Sequence, residues 1–188
     1  LVTTPTIGIA VKKHKTAGAI MISASHNDEK WNALKLLNSN GEFLHPEEVQ
    51  KVIKEKKRTQ SNKEKPGNLS SYANALDDHI NLILSQNFIN KNNIASKSIA
   101  VAVDGINSVG GVAIPKFLES LGIKKIKKIN CNPDGNFNHN PEPLPENITD
   151  LCSEVKRGKY QLGIVVDPDA DRLVLVDERG EPFGEEYT

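Results

Sequence analysis

The apolar and polar positions along the chain predict an α/β unit in roughly the first 45 residues. Residues 3–15 have helical spacing, and Pro5 is tolerated in the first turn of a helix. Two short apolar runs follow at residues 18–23 and 33–37, and each has the length of a strand. The asparagine and glycine residues at 38–41 are typical of a hairpin. We therefore expect a helix, a strand, a polar loop, a second strand and a hairpin, in that order.

A second helix is expected to begin at residues 45–48, where a proline and two acidic residues suit a first turn. Its apolar residues Val49, Val52 and Ile53 share one face. Residues 54–65 are so rich in charge that they predict a solvated helix end and a flexible linker.

From about residue 70 the pattern predicts a second α/β unit. The expected elements are a helix over 72–84, a strand over 98–103, a helix over 110–121, a strand over 123–129, a helix over 147–156 with Asn147 or Thr149 as N-cap and Gly158 as terminator, and strands over 162–166 and 173–176. The β-branched run at 98–103 favours a central parallel strand, joined to the next strand by a right-handed crossover. Both units are therefore assigned to the α/β class, as sandwiches of helices on sheets.

Charge and composition narrow the classes of function. Basic and acidic residues number 24 each, so the net charge is zero and no long-range field favours a nucleic acid or an anionic membrane. No apolar run approaches the roughly 20 residues of a membrane span. The two cysteines form no CxxC pair, so a reduced, cytoplasmic setting is the default expectation. The start at Leu1 and the end at Thr188, without a closing element, suggest a piece of a longer protein.

The first candidate for chemistry is the polar loop after the strand at 18–23. The apolar run breaks into Ser23, Ala24, Ser25, His26 and Asn27, which predicts a buried strand delivering an exposed hydroxyl. Ser25 has His26 beside it and a lysine ten positions on, an arrangement that suits a covalent group carried on the hydroxyl. The alternative is a polar turn after a core strand, without chemistry.

The second candidate is the run Asp167, Asp169 and Asp171, which lies between two apolar strands. Three carboxylates so close together repel one another unless a cation lies among them. Oxygen ligands with open positions suit Mg²⁺. A calcium-binding EF-hand loop is excluded because Arg172 stands where that loop needs glycine. The remaining alternative is a solvated acidic turn.

Other polar residues are interpreted as structural. The loop from Asp104 to Gly111 follows a strand and opens a helix, but it lacks both the P-loop and the dinucleotide fingerprint. Its glycines are better explained by a tight turn. His79 is expected to pack in a partly buried position, and His139 is left without a chemical role. Neither cysteine is assigned a role.

Two motifs in this order resemble the signatures of the α-D-phosphohexomutase superfamily: Ser23-Ala-Ser-His-Asn27 and Asp167-Pro-Asp-Ala-Asp-Arg172. The resemblance covers the full length and is closest to the bacterial phosphoglucosamine mutase and phosphomannomutase branch. Supporting stretches lie at 31–37, 41–44, 103–105, 110–111, 139–145 and 184–188. The resemblance implies phosphohexomutase-type α/β sandwich domains with mixed, largely parallel sheets.

The resemblance also implies a division of the chain. Residues 1–69 would be the end of a first domain with a phosphoserine loop and a linker, 70–182 a second domain with a metal-binding loop, and 183–188 the start of a third. Asp28 stands where the common pattern has proline, and Ala33 replaces a frequent glycine. The superfamily's later sugar-recognition loop and phosphate-binding loop have no match here. We therefore expect the chain alone to be inactive and the missing domains to complete the site.

The activity that the resemblance implies is an intramolecular phosphate transfer, the work of an isomerase. Ser25 would be a phosphoserine that exchanges its phosphoryl group with the sugar. The enzyme would thereby interconvert hexose or hexosamine 6-phosphate and 1-phosphate through a bisphosphorylated sugar. The implied cofactor is Mg²⁺, held by Ser25, Asp167, Asp169 and Asp171. The implied partner is therefore a phosphorylated hexose or hexosamine.

Three further residues match positions of the superfamily's site. Lys35 would act in proton transfer with the sugar hydroxyl, for which a depressed pKa is suitable. His26 and Arg172 would flank the phosphate and stabilise it. Two other functions stay open at this point: a non-catalytic metal-binding or interaction module, and a hydrolase in which Asp167 is the nucleophile.

Overall fold

The computed structural model describes residues 1–27, 30–56 and 67–183, which contain six α-helices, one turn of 3₁₀ helix and six strands. The elements are α1 (Thr4–His14), β1 (Ala19–Ser23), β2 (Ala33–Leu37), α2 (Pro46–Lys56), α3 (Ala75–Leu84), α4 (Lys91–Ser96), β3 (Ala100–Asp104), α5 (Gly110–Ser120), β4 (Lys125–Ile129), α6 (Thr149–Gly158), β5 (Leu162–Val166) and β6 (Leu173–Val176). Most of the linker expected at 54–65 lies outside the described residues, as do Asp28 and residues 184–188.

The first unit is a two-stranded ribbon with α1 on one face. β1 and β2 run antiparallel, with Ala19 opposite Leu37 and Met21 opposite Lys35. Side chains alternate along a strand, so these four share a face, and Met21 and Leu37 are buried there beside α1. Lys35 therefore extends from the covered face of the ribbon. The opposite face is apolar and exposed, through Ile20, Ile22 and Leu34.

The second unit is a three-layer sandwich around a four-stranded sheet in the order β4-β3-β5-β6. β3 runs parallel to β4 and β5, while β6 runs antiparallel to β5, which confirms a mixed, largely parallel sheet with β3 inside it. Val101 and Val103 pack on the α5 side, and Ala102 packs on the α6 side. Parallel strands end at the same edge of a sheet, so Asp104 and Asp167 come to one edge.

The two units meet where α3 packs against α1. Thr6 of α1 lies 2.9 Å from His79 of α3, measured from Oγ1 to Nδ1. Lys13 and Asp78 form an ion pair at 2.5 Å further along the same helices. Burial lowers the pKa of His79, which agrees with its expected packing role.

The helix ends differ most from expectation. α6 has no side-chain N-cap, because a turn of 3₁₀ helix at Pro145–Asn147 leads into it. Lys159, with φ 53°, ends α6 in the left-handed conformation instead of Gly158. α4 was not predicted, since its six residues contain too few apolar positions to show a period.

Glycines make the turn from β3 into α5 tight, as expected. A Cβ on Gly105 would lie 2.3 Å from the Cα of Gly111, and a Cβ on Gly111 would lie 2.5 Å from the Cα of Cys131. Backbone atoms occupy the space that side chains would need. The glycines are thus required for packing.

We predict that Gly111→Ala lowers the free energy of unfolding by about 1–3 kcal/mol, because the added methyl group overpacks against the backbone of Cys131. Urea unfolding measures the change. Helix propensity alone would predict the opposite sign, a gain of up to about 1 kcal/mol. Gly67→Ala is the matched control, since a Cβ there meets nothing within 4 Å. Equal or higher stability of Gly111→Ala would contradict the prediction.

Candidate active site

The carboxylate loop, residues 167–172, begins where β5 ends and carries the trio Asp167, Asp169 and Asp171. Asp167 accepts hydrogen bonds at Oδ1 from the backbone N–H groups of Asp171 and Arg172, both at 3.0 Å, so the loop folds around it. Asp167 and Asp169 are only 0% and 3% exposed, whereas Asp171 is exposed. One carboxylate oxygen from each of the three lies within 4.8 Å of the others. The sequence-predicted trio is therefore assembled.

The trio has unused acceptor atoms. Asp167 Oδ2 and Asp169 Oδ1 are buried, and neither has a hydrogen-bond partner. A buried carboxylate oxygen without a partner costs free energy. Burial, with the neighbouring carboxylates, raises the pKa of Asp167 to about 7. A hard cation would bind both orphaned oxygens and favour the ionised form, so the three carboxylates could bind a metal such as Mg²⁺.

Lys35 reaches the trio from the first unit. Its Nζ lies 2.5 Å from Asp169 Oδ2 and 2.6 Å from Asp171 Oδ2. Burial opposes the charge on Lys35, but the hydrogen bonds to Asp169 and Asp171 outweigh burial and raise its pKa. The two carboxylates therefore oppose the depressed pKa that would suit proton transfer by this lysine.

The pKa of Asp169 moves in the opposite direction. Burial favours its neutral form, but the hydrogen bonds from Lys35 and Thr4 outweigh burial and lower the pKa. Asp169 and Lys35 therefore form an ion pair in which each group favours the charged form of the other.

Ser25 follows β1 in a left-handed conformation, with φ 52°. This conformation is uncommon for residues other than glycine. Its backbone N–H donates to Ser23 Oγ at 2.8 Å, and its Oγ lies 3.2 Å from His26 Nδ1. Ser25 and His26 are half-buried, so the loop presents the hydroxyl beside the imidazole.

A cleft of about 420 Å³ lies between the serine loop, residues 23–27, and the carboxylate loop. Its lining includes Ser23 and Ala24 on one side, and Ser108, Pro168 and Asp169 on the other. Among the described residues, the hydrogen bonds of Ser25 go to Ser23 and His26, not to the trio. The structure thus brings Lys35 into contact with the trio and places Ser25 on the neighbouring loop.

Arg172 has a partner that the sequence did not suggest. Its Nη1 donates to Glu142 Oε1 at 2.9 Å. The loop that carries Glu142 is held at the end of β3, because His139 Nε2 lies 3.1 Å from Oδ2 of the buried Asp104. Asp104 also accepts from the side-chain amide of Asn130. His139 thus helps to hold this loop in place, and Glu142 orients Arg172.

Two more residues that the sequence analysis missed support the carboxylate loop. Ser108 donates through Oγ to the carbonyl oxygen of Pro168 at 2.6 Å. Thr4 donates through Oγ1 to Asp169 Oδ2 at 2.7 Å, and through its backbone N–H to the Asp169 carbonyl oxygen at 2.9 Å. These partners are 60 and 165 positions apart, so no local pattern could have paired them.

Family models identify the class of protein. Residues 1–63 match the phosphoglucomutase/phosphomannomutase alpha/beta/alpha domain I, and residues 77–180 match domain II of the same family. The chain belongs to the phosphoglucomutase/phosphomannomutase family.

Curated relatives refine the comparison. The chain is 35% identical over 185 residues to a probable phosphoglucosamine mutase of Methanococcoides burtonii, and 34% identical over 193 residues to the phosphoglucosamine mutase of Methanococcus aeolicus. Each match covers 96% of this chain and 40% of the relative, so the chain spans less than half the length of these relatives. The superfamily resemblance is confirmed. The bacterial branch and the domain boundaries at 69 and 182 stay predictions.

A solved structure supports the fold. A phosphoglucomutase/phosphomannomutase family protein from Burkholderia thailandensis superposes with a TM-score of 0.76 at 22% identity. The superposition covers 97% of this chain and 40% of the other. Among the described residues, no helix combines the length and apolar character needed to cross a bilayer.

We predict that the contact between Asp104 and His139 makes stability depend on pH. The hydrogen bond to Asp104 raises the pKa of His139 above 6.5. The folded chain then holds this proton more tightly than the unfolded chain, so the stabilisation is complete below pH 6.5 and is lost as pH rises through the folded pKa. The difference in unfolding free energy between the wild-type chain and His139→Gln should therefore shrink as the pH rises above about 6.5, as measured by urea unfolding.

His45→Gln, at an exposed histidine outside this contact, is the control for that series. A difference between the wild-type chain and His139→Gln that stays constant, or grows as pH rises, would contradict the assignment.

We predict that Asp169→Asn weakens Mg²⁺ binding by at least about tenfold, because a neutral amide replaces a ligand charge and Lys35 loses an ionic partner. Isothermal titration calorimetry on the 188-residue chain measures the affinity. Asp77→Asn, at a half-exposed carboxylate that pairs with Lys116, is the control and should leave the affinity unchanged. Equal affinity of Asp169→Asn and the wild-type chain would remove Asp169 from the metal site.

Proposed function

We propose that this chain is the phosphoryl-carrying and metal-binding part of a phosphohexomutase, which interconverts the 6-phosphate and 1-phosphate of a hexose or hexosamine. Family membership and relatives named phosphoglucosamine mutase support the proposal. The observation that carries it is the bridge from Lys35 to Asp169 and Asp171. Lys35 lies on β2, which pairs with β1, and β1 leads into the serine loop. The bridge therefore joins the first unit to the carboxylate loop, beside a cleft that both loops line.

Ser25 is proposed as the carrier. Its phosphorylated Oγ gives the phosphoryl group to a free hydroxyl of the sugar phosphate. A bond forms between phosphorus and the sugar oxygen, the bond between phosphorus and Ser25 Oγ breaks, and the hydroxyl proton passes through a base to Ser25 Oγ. The bisphosphorylated sugar then returns its other phosphate to Ser25 by the reverse exchange. The sugar phosphate is isomerised and the phosphoserine is regenerated.

Charge stabilisation dominates such a transfer, because negative charge spreads over the phosphoryl oxygens. We propose that an oxygen of Ser25 and the carboxylates of Asp167, Asp169 and Asp171 hold Mg²⁺. When bound, the ion supplies positive charge to the phosphoryl group. The two orphaned carboxylate oxygens support this role.

The neighbouring side chains have distinct proposed roles. Lys35 is charged in its contacts with Asp169 and Asp171, so it is suited to giving a proton to a departing oxygen. It accepts a proton only after these contacts loosen. Arg172 and His26 would donate N–H groups to the phosphoryl oxygens, and Glu142 fixes the direction of the guanidinium.

The sugar is proposed to be a hexosamine, because the relatives reported above are named phosphoglucosamine mutases. The chain spans 40% of those relatives. We therefore propose that the rest of the enzyme recognises the sugar, and that these 188 residues alone do not complete the reaction.

Intact-mass analysis of the full-length, active protein purified from cells tests the carrier. We expect an adduct of ~80 Da that maps to Ser25 and disappears in Ser25→Ala. Ser23→Ala removes the other hydroxyl of the same loop and should keep the adduct.

Three results would each contradict a different part of the proposal. Persistent absence of the adduct from active enzyme would favour a structural serine loop in a metal-binding module. Phosphate release that survives Ser25→Ala would favour a hydrolase with Asp167 as nucleophile. Conversion of hexose 1-phosphate to 6-phosphate by the 188-residue chain alone would overturn its proposed dependence on the remaining domains.

A further inference from the structure

Thr4 makes two contacts with one residue of the carboxylate loop. Its hydroxyl lies 2.7 Å from Asp169 Oδ2, and its backbone N–H lies 2.9 Å from the Asp169 carbonyl oxygen. Thr4 is the first residue of α1, where a backbone N–H has no partner within the helix. It is only 6% exposed. Two hydrogen bonds thus connect the start of α1 to the carboxylate loop of the second unit.

The Thr4 hydroxyl could also donate to Met21 Sδ, which lies 3.0 Å away. A hydroxyl has one proton, and a thioether sulfur is a weak acceptor. A hydrogen bond to a carboxylate is about twice as strong as a neutral one. The Thr4 hydroxyl therefore donates its hydrogen bond mainly to Asp169.

The two oxygens of Asp169 are in different surroundings. Oδ2 receives the hydroxyl of Thr4 and the ammonium group of Lys35. Oδ1 is buried and has no partner. Two donors on Oδ2 hinder rotation of the carboxylate, and the backbone contact from Thr4 fixes the position of the residue. Oδ1 is thereby kept available to a cation.

We propose that Thr4 is a positioning residue of the metal site, which acts through Asp169 without touching the ion. The inference rests on the metal site of the proposed function. Groups that orient metal ligands change metal affinity by about 10- to 100-fold when they are removed. No other described hydroxyl contacts a carboxylate of the trio.

The chain provides a matched control two residues further along α1. Thr6 is fully buried, and its hydroxyl bonds to Thr3 Oγ1 at 2.8 Å and His79 Nδ1 at 2.9 Å. Thr6→Val therefore removes a buried hydroxyl from the same helix and leaves the carboxylate loop untouched.

Calorimetric titration of the 188-residue chain with Mg²⁺ tests the inference. We expect Thr4→Val to bind Mg²⁺ about tenfold more weakly than the wild-type chain. Thr4→Ser keeps the hydroxyl and should restore affinity to within about threefold of wild type. Thr6→Val should bind as the wild-type chain does. If Thr4→Val does not fold, Thr4→Ala removes the same hydroxyl without placing an additional methyl group beside Met21.

A double-mutant cycle separates positioning from general stability. In the Asp169→Asn background, Thr4→Val should cause little further loss of Mg²⁺ affinity, because both changes disrupt the same ligand. A purely structural Thr4 would give the same loss in both backgrounds and would overturn the inference.

Two further outcomes would also overturn it: unchanged affinity in a folded Thr4→Val chain, and an equal loss in Thr6→Val. Absence of Mg²⁺ binding by the wild-type chain would overturn both this inference and the proposed metal site. The adduct on Ser25 tests the phosphate carrier separately, so failure of one is distinguishable from failure of the other.

Discussion

The burial of negative charge at the end of β5 is the constraint on which the rest of the structure depends. Two of the three carboxylates there are almost inaccessible to solvent. Removing an ion from water costs several kcal/mol even after the protein relaxes. Lys35 supplies one positive charge, which Asp169 and Asp171 share, whereas burial and its neighbours raise the pKa of Asp167 to about 7. One lysine therefore leaves the loop short of positive charge, and a divalent ion would complete the balance.

The topology creates this concentration of charge in two steps. β3 and β5 run parallel, so their carboxyl ends meet and the loop after β5 lies beside the β3–α5 turn, where Ser108 bonds to Pro168. β1 and β2 run antiparallel, so Lys35 extends from the face that also carries Met21. α1 covers that face and brings Thr4 to the same loop. The site is thus assembled from both units.

The sequence predicts the parts of the molecule that depend on local pattern. β2, β5 and β6 have the expected bounds, because each is an apolar run that ends in polar or turn residues. The trio could also be recognised, since its members are neighbours along one loop. The contacts that set the charge of these carboxylates could not be recognised from the sequence. Lys35 and Asp169 are 134 positions apart, so nothing local shows that the lysine would be held in its charged form. Glu142 was missed for the same reason, because its partner Arg172 is 30 positions away.

Contacts between the two units would be thermodynamically linked to metal binding at the three carboxylates. Thr4 and Lys35 belong to the first unit, and both donate hydrogen bonds to Asp169 Oδ2. The other oxygen, Oδ1, therefore stays available to a cation. If docking of the units improves the metal site, a bound metal must strengthen docking by the same free energy. The ion pair between Lys13 and Asp78 lies along this interface. It would therefore influence cation affinity without approaching the cation, because it helps to hold in place the helix on which Thr4 lies.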